Sequence, residues 1–315
     1  MNGNTKTPHL YSAGLRFVIG VSFLTLFHFG ALAEGSAPVL PEPAVLTSEP
    51  ASLSLFGGGS DQLDILFGDE EQNGFSFVSS DPETALADAH GVVIALRKGN
   101  CTVTCTDPDD PERVVTVPVE VTSDRPKPEI PKSLAGLCYR QKEKISAADR
   151  KKIERYVSSL KEKSALGTAS EGEKIALAAL GYLGHEYGSK NPGRLDCSML
   201  LFFSAFDTGR ILPRRSDWQA EALESYAVEP DAVEPGDFLL LAAYEGDSCR
   251  CDGPCTRYKR IHHAAVYLGF INGEHWVVEA SSRVGKVVIR RWSGENSHAG
   301  YELVLIARPC EVSPG

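Results

Sequence analysis

Two short stretches of the chain hold residues whose types suit nucleophilic chemistry. "RLDCSMLLFF" (194–203) sets Cys197 at the head of an apolar run, and "IHHAAVYLG" (261–269) supplies His262 and His263. A thiolate attacks carbonyl carbon readily, provided that a base takes its proton and returns it to the leaving group. Asp196 is a helix N-cap residue, and the run from Cys197 through Phe206 reads as a helix that Gly209 stops. A helix apolar almost all round belongs in a domain centre, and a thiol in its first turn feels the positive end of the helix dipole. Strand alternation separates the two histidines. His262 shares a face with Ala264, Val266 and Leu268 and reads as core, whereas His263 shares a face with Ala265 and Tyr267 and reads as the base.

The elements that must hold these residues follow from periodicity. "SAADRKKIERYVSSLKEK" carries Ser146 and Asp149 as a capping box and a stripe of Ile153, Tyr156, Val157 and Leu160, which predicts an amphipathic helix. A second helix starts at Ser170 with Glu173 three residues on and runs through Ile175, Leu177, Leu180 and Leu183. After the Cys197 helix come the strand patterns "DFLLLAA", "HAAVYLG", "HWVVEA", "KVVIRR" and "ELVLIA". Helices followed by antiparallel strands make an α+β domain over 138–312.

Ahead of it, residues 45–122 alternate as short strands: "ASLSLF", "QLDILF", "FSFVSS", "GVVIAL", "NCTVTCT" and "RVVTVPVEV". Their spacing predicts an all-β sandwich. Cys101 and Cys105 lie on one strand face about 13 Å apart, beyond disulfide reach, and read as buried core thiols. Residues 34–44 and 123–137 are proline-rich and read as extended linkers.

The chain start sets the compartment. Lys6 and Arg16 precede the apolar stretch Phe17 to Phe29, and "ALA" ends at Ala33, the pattern of a secretory signal peptide over 1–33. The apolar run is short for a membrane span, so the mature protein is expected to be exported without a stable span, to the periplasm, the cell wall or the medium. Losing the signal's two cations takes the formal charge from −10 to −12. So acidic a protein argues against nucleic acid and anionic membrane as partners.

Two family resemblances follow. "FVSSDPETALADAHGVVIALRKGNCTVTCTD" resembles the group 2 bacterial immunoglobulin-like domain, which implies a spacer or a module binding a wall or surface ligand. "LGHEYGSKNPGRLDCSMLLFFSAFDTGRILPRRSDWQ", "VEPGDFLLL", "HHAAVYLGFINGEHWVVEASS" and "GKVVIRRW" resemble, in order, the NlpC/p60 family of papain-like cysteine peptidases. That resemblance implies hydrolysis of peptidoglycan stem peptides, typically between D-glutamate and a diamino acid, with no cofactor and no catalytic metal. Cys197 matches the nucleophile, His263 the base and Glu279 the residue that orients the histidine. Tyr187, Asp196, Ser198, Arg214 and Ser216 match positions along the substrate cleft, where Arg214 could bind a carboxylate. Trp218 reads as core packing. Two positions depart from the family pattern: Met199 stands where glycine is usual, and Glu279 where histidine, asparagine or glutamine is usual. An amidase of the same fold, or a non-catalytic adhesion protein with a decayed peptidase domain, are the alternative readings.

The insertion "EGDSCRCDGPCTRYKR" (245–260) brings three cysteines and four cations to the approach to His263. It reads as a basic lid stapled by a disulfide from Cys255 to Cys249 or Cys251, with Cys138 and Cys310 as a second pair. A zinc site built from three of these cysteines and His262 is the rival.

Overall fold

The structure, a computed structural model, describes residues 45–244 and 254–311. The signal segment and the first linker lie outside the described residues. Among the described residues no helix is long and apolar enough to cross a membrane.

The first part is all β: β1 (Leu46–Glu49), β2 (Leu53–Leu55), β3 (Ser60–Gln62), β4 (Asp64–Phe67), β5 (Glu70–Gln72), β6 (Ser76–Ser79), β7 (Ala85–Ala87), β8 (Val92–Ala95), β9 (Gly99–Thr106) and β10 (Val114–Val121). They pair into three sheets, in the orders β1-β4-β5, β2-β10-β9-β6 and β3-β8-β7. Each of the six strand patterns in the sequence overlaps one of these strands. β9 and β10 form the longest ladder, with Val103 opposite Val117. Alternation along β9 turns Cys101, Val103 and Cys105 into the core. Both cysteines are free thiols, and burial pushes Cys105 up to about 11.

The proline-rich stretch 123–137, read as an extended linker, is packed against both parts of the chain. Arg125 donates its backbone N–H to the Leu96 carbonyl and its guanidinium to Tyr182 Oη (2.6 Å) and to the Asp207 carboxylate. The same guanidinium lies 4.9 Å over the Phe203 ring. Glu129 N–H donates to the Gly181 carbonyl, and Leu134 is buried. Proline favours extended backbone without needing a donor satisfied, so the ribbon can lie flat on the helices while its few apolar side chains anchor it. As a result Val92, Ile94 and Leu96 of the β region share one buried cluster with Leu200, Phe202 and Phe203. The two parts are a single packed body, not a module on a tether. Arg125→Ala is expected to lower stability by about 2 kcal/mol, from the lost charged hydrogen bonds and ring contact. Urea melts check this; an unchanged midpoint would return the segment to a tether.

The second part contains β11 (Cys138–Arg140), β12 (Glu143–Lys144), α1 (Ala147–Ala165), α2 (Glu171–Leu180), α3 (Cys197–Phe206), α4 (Ser216–Leu223), β13 (Phe238–Ala242), β14 (Ile261–Ile271), β15 (Glu274–Ser281), β16 (Lys286–Trp292), β17 (Ser297–His298) and β18 (Tyr301–Ala307). Its eight strands form one sheet, β12-β11-β16-β15-β14-β13-β18-β17, antiparallel except where β11 runs parallel to β16. The capping box expected at α1 is half formed. Ser146 Oγ accepts from Asp149 N–H, but the Asp149 carboxylate takes the Ser146 hydroxyl and not its backbone amide. Aspartate is one methylene shorter than glutamate, and at α2 Glu173 does reach the Ser170 amide (2.9 Å) to complete the box. α2 ends at Leu180, three residues short of the predicted end, although Leu183 remains buried.

Period-2 alternation gives the sheet two apolar faces. Ala264, Val266, Leu268, Val278 and Ile289 pack in one cluster with α2 and α3, while Leu239, Leu241, Ala265, Tyr267 and Val277 form a second cluster.

Candidate active site

α3 begins where the sequence places it. Asp196 Oδ1 accepts from Met199 N–H (2.8 Å), and residues 197 to 205 are all buried. Met199 needs no extra room at the helix start, because its side chain fills the core at 1 % exposure. Cys197, in the first turn, lies with Sγ 3.9 Å from the His262 carbonyl oxygen, and its thiol favours the charged form of the His263 side chain.

β14 and β15 complete the constellation. His263 Nε2 meets Glu279 Oε2 at 3.0 Å, which leaves Nδ1 as the ring nitrogen for the cysteine. Both belong to the sheet face of Ala265 and Val277. Glu279 is fully buried and holds two further partners that the sequence did not single out: His298 Nε2 at 2.7 Å and Arg290 Nη1, which donates to Oε1 at 2.8 Å. Burial alone would raise the Glu279 carboxyl, but His298 and His263 outweigh it and hold it well below the usual carboxylate range. For His263 the balance is similar. Burial opposes its charge, yet the hydrogen bonds and charges of Cys197 and Glu279 outweigh it and raise the ring to about 10, which favours its protonated form.

His262 is not the core residue that alternation suggests. Ala264 and Val266 on its face lie under the helices, but at 262 the strand has reached the N-terminal end of α3, where that face opens. His262 is half-buried, sits 3.2 Å from Cys255 Sγ through Nε2, and lines a groove together with Cys197. Burial and the nearby Arg257 push its pKa down. Conversely His263 is buried, at 6 % exposure, and meets the groove only through Cys197.

The groove has a volume of about 410 Å³. Tyr187, Asp196, Ser198, Arg214 and Ser216 all line it, together with Lys190 and Arg257. Arg214 is a correction in kind: the expected carboxylate binder is buried, and its guanidinium is engaged by Asp196, Ser198 and Ser60. Trp218 packs against the main core cluster, as expected. It is half-buried and stacks on His90 of the β region (3.9 Å, 7°), with the Arg215 guanidinium 4.0 Å from its ring centre. Ser60, Asp61 and Gln62 of β3 form another wall of the groove. No local pattern marks these three residues, since only the docking of the β region brings them there.

Of the expected cysteine pairs, Cys138 with Cys310 is not formed. Cys138 is a buried free thiol, pushed up to about 12 by its surroundings, burial first. Cys249 and Cys251 lie outside the described residues, and with them the loop staple and its zinc rival.

The model described as the NlpC/P60 family matches residues 184–305. No curated protein matches the chain. Among solved structures, the peptidoglycan hydrolase RipB from Mycobacterium tuberculosis is 20 % identical, with a TM-score of 0.34 over 53 % of this chain and 87 % of that one. RipD from the same organism, described as a non-catalytic NlpC/p60 domain protein adapted to peptidoglycan binding, is 16 % identical with a TM-score of 0.33, over 44 % and 97 %. NlpC1 from Trichomonas vaginalis is 15 % identical with a TM-score of 0.35, over 80 % and 75 %. The stretch that matches the NlpC/P60 family model encloses Cys197, His263 and Glu279 alike.

Proposed function

We propose that the chain is an exported cysteine peptidase that hydrolyses peptide bonds of peptidoglycan stem peptides, the bond between D-glutamate and the diamino acid in particular. The observation that carries this reading is the buried line from Cys197 through His263 to Glu279 at the foot of an open groove. In the reaction Cys197 Sγ attacks the amide carbonyl carbon, and the C–N bond breaks as His263 gives its proton to the leaving amine. Water then attacks the thioester, returning a proton to His263 and releasing the acyl product. Glu279 keeps the imidazole oriented and stabilises its charged form throughout. The developing oxyanion is assigned to the Cys197 backbone amide at the start of α3, with Tyr187 beside it.

Since Arg214 is engaged, Lys190 and Arg257 supply the positive charge on the groove wall for stem-peptide carboxylates. The all-β region, read as a bacterial immunoglobulin-like module, acts as part of this groove and not only as a spacer or wall-binding module.

Digestion of purified peptidoglycan with the mature protein tests the reading. Mass spectrometry should find new amino termini on the diamino acid. New termini at the sugar–peptide junction instead would make the protein an amidase, and intact muropeptides would leave a binding protein.

A further inference from the structure

Arg214 is held from both sides. Toward the helix, its Nη1 donates to Ser198 Oγ (2.7 Å) and its Nη2 to Asp196 Oδ2 (2.7 Å), the residues immediately after and before Cys197. Toward the β region, its Nε donates to Ser60 Oγ (3.0 Å) and its backbone N–H to Asp88 Oδ2 (3.0 Å). Asp88 is buried at 8 % exposure, and its other oxygen accepts from the amides of His90 and Val92, which fixes the turn into β8. The next residue, Arg215, is fixed to the same region through Trp218 stacked on His90.

We propose that Asp88 and Ser60 are positioning residues for the reaction at Cys197, acting through Arg214, so that the β region is a working part of the catalytic unit. The inference rests on the reading of Cys197 as the nucleophile. A cysteine in the first turn of a helix reacts well only if that turn is fixed against its base. Asp196 fixes it by capping Met199, but a carboxylate with one oxygen on the helix can still pivot. Arg214 removes that freedom by binding the other oxygen together with the Ser198 hydroxyl. A long side chain does this only if it is itself fixed, and two of its anchors come from residues 126 and 154 positions earlier in the sequence. Buried ion pairs stabilise little on their own account but favour one geometry when every donor is satisfied. Here that geometry brackets the nucleophile.

The test uses the full mature chain and reads Cys197 directly. Alkylation by iodoacetamide, followed by mass spectrometry of the Cys197 peptide, should slow roughly fivefold in Asp88→Asn, the factor that loss of one hydrogen bond to a fixed group commands. On muropeptide substrate kcat should fall with it while KM holds, because Asp88 is not among the residues lining the groove. In an Arg214→Ala background Asp88→Asn should change neither quantity further. A merely structural role would lower the melting temperature and leave the folded protein's alkylation rate alone; that result, or an equal slowing without Arg214, overturns the proposal. If Asp88→Asn does not fold, Ser60→Ala is subject to the same alkylation criteria. Because alkylation needs no substrate, failure of the hydrolysis reading would leave the coupling measurable. Failure of the relay would leave Asp88→Asn with ordinary alkylation and turnover.

Discussion

Cys197→Ala should yield a folded protein whose turnover of wall peptides falls on the order of 10⁴-fold or more, and His263→Ala should fall as far. The alanine change removes one sulfur from a mostly buried position at the foot of the groove, so the packing loss is about 1 kcal/mol and the chemistry disappears. The histidine change removes both the proton donor for the leaving amine and the charge that faces the thiol. Because the two residues act as one unit, the double variant should be no slower than either single one. His262→Ala is the contrasting case. Its ring lines the groove and is not among Glu279's partners, so its effect should fall on KM more than on kcat. Turnover near the wild-type rate in Cys197→Ala would end the peptidase reading, and a loss in His262→Ala equal to that in His263→Ala would mean that alternation along β14 had been misassigned.

What could be read from the sequence divides by distance along the chain. The start of α3 is legible because an aspartate cap, a following apolar run and a terminating glycine are all local signals, and they place Cys197 at a helix end without any tertiary information. The choice of His263 over His262 rested on period 2 alone, and it puts His263 on the face where Glu279 meets it. The same rule failed for His262, because alternation tells which face a residue is on but not where the element covering that face stops. Glu279's partners were hidden for a related reason. His298 and Arg290 reach it through register across β15, β16 and β17, and no spacing within one strand encodes that register. Arg214 was read as a cleft residue able to bind a carboxylate, yet Ser60 and Asp88 hold it, and their approach depends on the docked ribbon 123–137 that composition alone presents as an extended linker. Proline content reports a lack of backbone donors, which suits a free linker and a ribbon laid on helices equally well.

Glu279→Gln should reveal how much the whole site leans on one buried carboxylate. The change keeps shape and an acceptor but removes the charge that His263, His298 and Arg290 share. Arg290 is itself buried at 3 % exposure, and stripping the anion from a buried pair typically costs about 3–5 kcal/mol, so the melting temperature should drop by roughly 10 °C. The pH dependence gives a sharper signature. Glu279 lies below its ordinary 4.5, so its contribution to stability is present above that value and is lost as pH falls through the depressed one. His263 is raised from 6.5 to about 10, so its contribution is complete below 6.5 and is lost as pH rises toward 10. Removing the carboxylate abolishes the first contribution and shrinks the second, so the variant's stability should vary less across both windows. Catalysis follows the same sign. A histidine without its anion gives up its proton at lower pH, so the alkaline limb of kcat moves acidward while the Cys197 sulfur remains in place. Melting curves and kcat measured from pH 4 to 10 on Glu279→Gln decide the matter. An alkaline limb and a melting temperature both unchanged from wild type would show that the carboxylate neither charges the histidine nor secures the sheet around it.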